Sequence, residues 1–373
     1  MSIATSLEGK RVCICAGSGG VGKTTTSAAL ALGLAAEGHK VAVVTIDPAK
    51  RLANSLGLPE LGNEPMRIEP ERFESQGVHM QGELWALMLD PKRTFDDLVA
   101  RLAPDEESRR EVVGNRIYQQ LSSAVAGSQE FSAVMKLYEL ERSGEFDRLV
   151  LDTPPSRNAL DFLEAPTRLT NFLEGRALRV FLAPTGLASR VVGRGSGVVF
   201  SLLRRLTGVD LLQDLSVFFR VLGGLLEGFR QRAAAVDQML RDPSTAFLIV
   251  TSPEAEPAEE AIYFRTQLRR ADMPFAALVV NRVHPVELLD VDPDEARSEL
   301  APLVGEALAR RAVANLSDFQ VLAERDRDSI ERLVRELDCP DPLCVPHLDV
   351  DVQDASGLVQ VAHHLFAGSR PGF

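Results

Sequence analysis

Cysteine is scarce in this sequence. Four residues in 373 are too few for a disulfide framework, which predicts a reducing, cytoplasmic setting. Long apolar runs are missing too, and without about 20 consecutive apolar residues no segment is expected to span a bilayer. The opening MSIATSLEGKR is polar where a signal peptide needs an apolar core, so none is expected. A surplus of positive charge is also lacking: the formal net charge is −12, which argues against nucleic acid as a general partner. No internal repeat is visible. What is present, 45% hydrophobic and 25% charged residues, is the composition of a soluble globular chain. Its length suits one large α/β domain or a domain carrying a sizeable insertion.

Arg11–Ala16 (RVCICA) is a short apolar run that stops at glycines, as a buried parallel strand would. A helix is expected from about Lys23, ended by Glu37-Gly38-His39. Val41–Ile46 (VAVVTI) is a second buried strand, closed by Asp47-Pro48. Strand, glycine-rich turn, helix and strand make a βαβ unit and hence a parallel sheet. Further strands are expected at Glu83–Leu89, Arg148–Leu151, Ala246–Thr251, Phe275–Val280 and around Leu343–Pro346. Helices are expected over Ala258–Arg270 and from about Ala355, with charged helical segments from about Thr94 to Arg142. Between Arg157 and Arg241 the pattern turns helical, apolar and arginine-rich before core strands resume. The expected architecture is therefore a mostly parallel, doubly wound α/β sheet from residues 1–156 and 242–373, with a helical segment at about 94–142. A helical insertion occupies 157–241.

Gly17-Ser18-Gly19-Gly20-Val21-Gly22-Lys23-Thr24 fits G-x-x-x-x-G-K-[ST] between a strand and a helix. Glycines let backbone N–H groups curl around a phosphate, and the helix N-terminus adds its positive dipole end. Gly19, Gly20, Val21, Gly22 and Lys23 are thus candidate phosphate ligands, with Thr25 at the α-phosphate. The Thr24 hydroxyl is placed for magnesium. Asp47 and Asp152 each follow an apolar strand and should reach the carboxyl edge of the sheet, where ligands bind in open α/β folds. Asp152 in RLVLD is the candidate acid for magnesium, and Asp47 for orienting an attacking water. The competing reading is a dinucleotide turn, G-x-G-x-x-G through Gly17, Gly19 and Gly22 with Asp47 on a ribose. Lys23-Thr24-Thr25 speaks against it, because such a turn has no use for that triplet.

These residues together resemble the family of the arsenical-pump ATPase and the tail-anchored-protein targeting ATPase. The likeness runs through the phosphate loop, TIDPAKRLANSLG, LDTPPSRNALDFLEAP, TSPEAEPAEEAIYFRTQLRR, VVNR around Asn281 and CVPHLDVD around Pro346. The resemblance implies ATP hydrolysis with magnesium, and dimers with nucleotide near the interface. It also implies an adenine site framed by Asn281 and by Pro346 with its neighbours His347 and Leu348. In targeting members, an insertion placed like 157–241 builds a groove for hydrophobic helices. Three departures stand out. The family's second-position lysine of the phosphate loop, which reaches across the dimer, is Ser18 here, and the zinc-binding C-x-x-C after the Asn281 segment is missing, so no zinc is expected. The insertion is also poor in methionine, with Met239 near its end, whereas adaptable client grooves favour methionine.

If Ser18 removes that trans cation, another must serve. Arg157, following Asp152, is the first candidate, ahead of Lys50 and Arg51, and a partner subunit that supplies the lysine is a further route. Homodimer and heterodimer with a related ATPase subunit both stay open. Cys13 and Cys15 share one face of the first strand and read as buried core thiols rather than soft-metal ligands. The segment Gly175–Val209 carries six arginines and no acid, consistent with packing against a core or second subunit, or with an anionic membrane or apolar client. The expected function is an ATP-driven switch coupled to a helical, apolar partner-binding subdomain. The alternative output is an energising or regulatory subunit for a membrane transporter or metabolic partner. The expected location is the cytoplasm, with peripheral membrane contact as an option.

Overall fold

A computed structural model describes residues 2–47, 50–103, 105–115, 128–154, 227–228, 230–348, 352 and 354–366. The expected Arg157, almost all of the 157–241 insertion and the arginine-rich segment lie outside these residues. The chain divides into two compact units. The first comprises Met1–Met88, Leu140–Leu160 and Leu240–Phe373, and the second Leu89–Glu139 and Asp161–Met239. The 94–142 segment, read from sequence as part of the core, thus falls largely in the second unit.

The first unit is built on an eight-stranded sheet: β1 Val12–Ala16, β2 Lys40–Thr45, β3 Met66–Arg67, β4 Glu83–Met88, β5 Arg148–Asp152, β6 Thr245–Thr251, β7 Phe275–Val283 and β8 Leu343–Pro346. Their order is β3-β4-β2-β5-β1-β6-β7-β8. All pairings are parallel except β3 with β4. The five residues of β1 are all buried, because strands on both sides and helices above and below leave no face to water. Burial on both faces is why β1, β2, β5 and β6 read as unbroken apolar runs rather than alternating ones.

The helix Lys23–Ala36 is buried almost all round: Thr26 through Ala35 are all inaccessible. A helix apolar on every side must be covered on every side. The C-terminal helix Ala355–Phe366 supplies part of that cover, approaching so closely that a Cβ on Gly33 would overlap the Phe366 ring. On the other flank of the unit, Pro293–Val304 and the 32-residue helix Glu306–Leu337 follow β7. Only Ala309, Ala323, Asp326, Ile330, Leu333 and Leu337 of the long helix are buried.

Of the second unit, Pro91–Leu102, Glu106–Val113, Ser128–Ser143 (its last residues, from Leu140, belonging to the first unit) and residues 230–239 of the helix that ends at 241 are helical. Asp90 caps the first of these, accepting from the Arg93 N–H at 3.0 Å. No helix among the described residues is long and apolar enough to cross a membrane.

Candidate functional site

The loop from Gly17 to Gly22 joins β1 to the helix Lys23–Ala36 at the carboxyl edge of the sheet. Gly17 must be glycine, since a Cβ there would run into the Val250 carbonyl of neighbouring β6. Gly22, the residue before the helix, has φ +91° and no side-chain cap, so the first amides of the helix point outward without a protein acceptor on the cap residue. A Cβ on Gly22 would overlap Asn281, whose Nδ2 donates to the Val21 carbonyl at 2.9 Å. Asn281 is delivered there by an irregularity at the end of β7: the β7–β8 register shifts between Val280 and Val283, and Arg282 takes φ +62°.

Lys23 is only 6% exposed, and burial lowers its pKa, opposed by nearby Asp152. Its ammonium donates to the Ser18 carbonyl at 2.7 Å. Asp152 ends β5 in register with Thr45 on β2 and Cys15 on β1. Two hydroxyls donate to its Oδ2, Thr24 at 2.8 Å and Thr45 at 2.8 Å. Its Oδ1 is buried without a hydrogen-bond partner, and burial raises the Asp152 pKa to about 6 against the opposing effect of those two hydrogen bonds. Asp47 lies two residues beyond β2, its N–H donating to Thr45 Oγ1 at 3.2 Å and its carboxylate 3.2 Å from the Arg51 guanidinium.

A cavity of 710 Å³ gathers these groups, lined among others by Lys23, Thr24, Thr25, Asp47, Arg51 and Thr153. A second, of 690 Å³, shares Gly22, Thr25, Arg51, Arg282 and Val352 with it and extends to Asn281, Pro346, His347 and Leu348. The two form one cleft within the first unit, hydroxyl-rich and acidic at one end and imidazole-lined at the other. Sequence reasoning named about half of this lining, including Lys23, Thr24, Asp47, Asn281 and Pro346, and these residues line the cleft. It missed Thr45, whose only signal was a polar residue closing a buried run, and also Arg282 and His284.

Lys50, the other switch-segment cation, turns away to pair with Glu60 at 3.6 Å. Ser18 is 7% exposed, and its hydroxyl has no hydrogen-bond partner among the described residues. Cys13, Cys15, Cys339 and Cys344 are all buried and free. Burial pushes Cys13 and Cys344 up to about 12 and raises the other two, keeping the thiols protonated. Among the described residues, no three His, Cys, Asp or Glu side chains gather as a metal-holding group.

A parallel sheet with a G-x-x-x-x-G-K-T loop at its carboxyl edge and a strand-end aspartate beside it defines a P-loop nucleotide-binding fold. Within that class the chain belongs to the anion-transporting ATPase family, whose family model matches residues 10–300. It is 28% identical over 289 residues to a protein named putative arsenical pump-driving ATPase 1 of Aquifex aeolicus (strain VF5), covering 75% of this chain and 65% of that one. It is 28% identical over 290 residues to ATPase ARSA1 of Chlamydomonas reinhardtii, covering 72% of this chain and 34% of the relative. To ATPase GET3 of Malassezia globosa (strain ATCC MYA-4612 / CBS 7966) it is 26% identical over 272 residues, covering 72% and 71%. The chain thus spans less than two thirds of the length of the first two relatives.

Proposed function

We propose that this protein is a magnesium-dependent ATP hydrolase whose nucleotide state drives rearrangement of its helical second unit. The observation that carries the reading is Asp152: a buried carboxylate fixed by the Thr24 and Thr45 hydroxyls, its other oxygen unpaired, directly beside the phosphate loop. A buried acid with one oxygen left unsatisfied is costly unless a cation or a cation-bound water meets it. Thr24 and Asp152, both hard oxygen donors, fit magnesium, which when bound supplies charge neutralisation to the β- and γ-phosphates.

The chain's own residues divide the remaining work. The amides of Gly19, Gly20, Val21 and Gly22 and the helix N-terminus hold the β-phosphate. Lys23 leaves the Ser18 carbonyl for the β,γ-bridge, and Thr25 takes the α-phosphate. Asp47 orients the attacking water, and its place in one cavity with Lys23 and Thr24 supports this role. Asn281 with Pro346, His347 and Leu348 frames the base. Two copies, or one copy and a related ATPase subunit, are proposed to meet near the nucleotide. The 157–241 insertion then presents an apolar surface to a hydrophobic helix or a membrane partner. Arg157 is proposed as the cation that answers for Ser18.

Lys23→Ala is expected to abolish hydrolysis and weaken ATP binding, and Asp47→Asn to retain binding while losing turnover. In a thermal-shift titration, ATP at a hundred times its Kd should stabilise the wild type by about 2.7 kcal/mol. A clear shift with NAD and none with magnesium-ATP would reverse the assignment.

A further inference from the structure

At the far end of the cleft, outside the phosphate machinery, lies a network in which only His347 has a role above. Asp326 is fully buried on the long helix Glu306–Leu337. Its Oδ2 accepts from the His284 backbone N–H at 3.0 Å and lies 2.7 Å from His284 Nδ1, while its Oδ1 accepts from the Arg325 guanidinium at 2.9 Å. The His284 ring stacks on His347, with centroids 5.7 Å apart and planes 17° from parallel, and Phe319 packs at 5.8 Å. His284, Arg325 and His347 all line the second cavity.

A carboxylate can only accept, so the Nδ1 beside it carries the proton. In the neutral ring this makes Nε2 an acceptor, at the edge away from Asp326. A base slotted between the two imidazoles needs about 7 Å of ring separation, two van der Waals gaps of about 3.5 Å each. The observed 5.7 Å is too narrow, so a base meets the pair at an edge or an outer face.

We propose that His284 selects the purine, its Nε2 accepting from the 6-amino group of adenine, and that Asp326 is the positioning residue that fixes the tautomer. A 6-oxo purine offers an acceptor where His284 also offers one, and two lone pairs facing each other cannot bond. The inference rests on the nucleotide reading above and adds base selectivity to it.

The test is calorimetric binding, at about pH 8, above the ordinary imidazole range, of ADP and IDP, whose bases differ in the 6-substituent and in the N1 proton that goes with it. Wild type is expected to bind ADP about tenfold tighter than IDP. His284→Asn keeps an amide that can donate to Asp326 but loses Nε2, and should bring the ratio close to one. Asp326→Ala removes the acceptor that holds the proton on Nδ1, so both tautomers populate, and should shrink the ratio. A merely structural role would weaken both ligands alike and leave their ratio unchanged. Wild-type discrimination in His284→Asn would overturn the inference; should that variant not fold, an unchanged ratio in Asp326→Ala would do so alone. Wild type binding neither diphosphate would instead defeat the nucleotide reading, and this inference with it.

Discussion

Asp152 is shielded from water at the end of β5, and burial raises its pKa from the ordinary 3.8 to about 6. The sign of the consequence follows directly. Between about pH 4 and pH 6 the folded protein holds a proton that the unfolded chain has released, so stability falls as pH rises through that window and is level above it. Asp152→Asn keeps the shape and removes the charge. The metal-free variant is therefore expected to melt higher than wild type at about pH 8, by roughly 2–4 °C for each kcal/mol relieved, while losing hydrolysis. Melting curves of both proteins from pH 4 to pH 8 check this. Parallel pH dependences would show that the cost of the buried carboxylate is being met elsewhere. Thr45 belongs to the same account, because its hydroxyl is one of two donors that hold the ionised form. Thr45→Val should widen the pH window by raising the Asp152 pKa further, read in the same melts.

Among elements, the phosphate loop is the most constrained by geometry. Gly22→Ala must place a Cβ at φ +91° and against Asn281, so a destabilisation of about 1–3 kcal/mol is expected, together with weaker ATP binding. Denaturant melts and nucleotide titration measure the two effects, and an unchanged affinity would mean that the loop reshapes freely. This element was legible in the sequence because spacing alone specifies it, and the central strands were legible because burial on both faces leaves continuous apolar runs. Other parts were hidden for physical reasons. The strand β3 is two exposed residues, with no periodicity to see. The long helix Glu306–Leu337 is largely solvated, and its few buried positions include two alanines and Asp326, so it shows no sustained apolar stripe. Strand β7 ran three residues beyond its apolar run, because Asn281 and Arg282 are placed by a register shift rather than by hydrophobicity. In the site, Asp47 and Asp152 could be found as strand ends. Thr45 and His284 could not, since what gives them a role is a partner 107 or 42 residues away.

For the whole molecule, the open issue raised by Ser18 is the number of chains at work. A cation delivered in trans to a γ-phosphate is worth on the order of 10³–10⁵ in rate, judged by arginine fingers. With a buried serine in that place, either basal turnover of the chain alone is slow or another cation arrives, Arg157 being the one proposed. Ser18→Lys should accelerate it more than about tenfold, increasingly at higher concentration, whereas Arg157→Ala should slow it. Rates across a dilution series decide, and an Arg157→Ala enzyme as fast as wild type would remove that residue from the mechanism. Metal analysis after dialysis against chelator should find no stoichiometric zinc, since Cys339 and Cys344 are buried protonated thiols five residues apart. The sheet itself limits how copies can meet. Among the described residues it ends on one side in the two-residue antiparallel stub β3, and on the other in the four-residue β8, which closes on Pro346 with no N–H to give. Borders this short and interrupted are poor templates for an incoming strand. The eight strands can therefore stay a closed count at the concentrations a crowded cell imposes, and association is left to helices and loops, surfaces that can let go again.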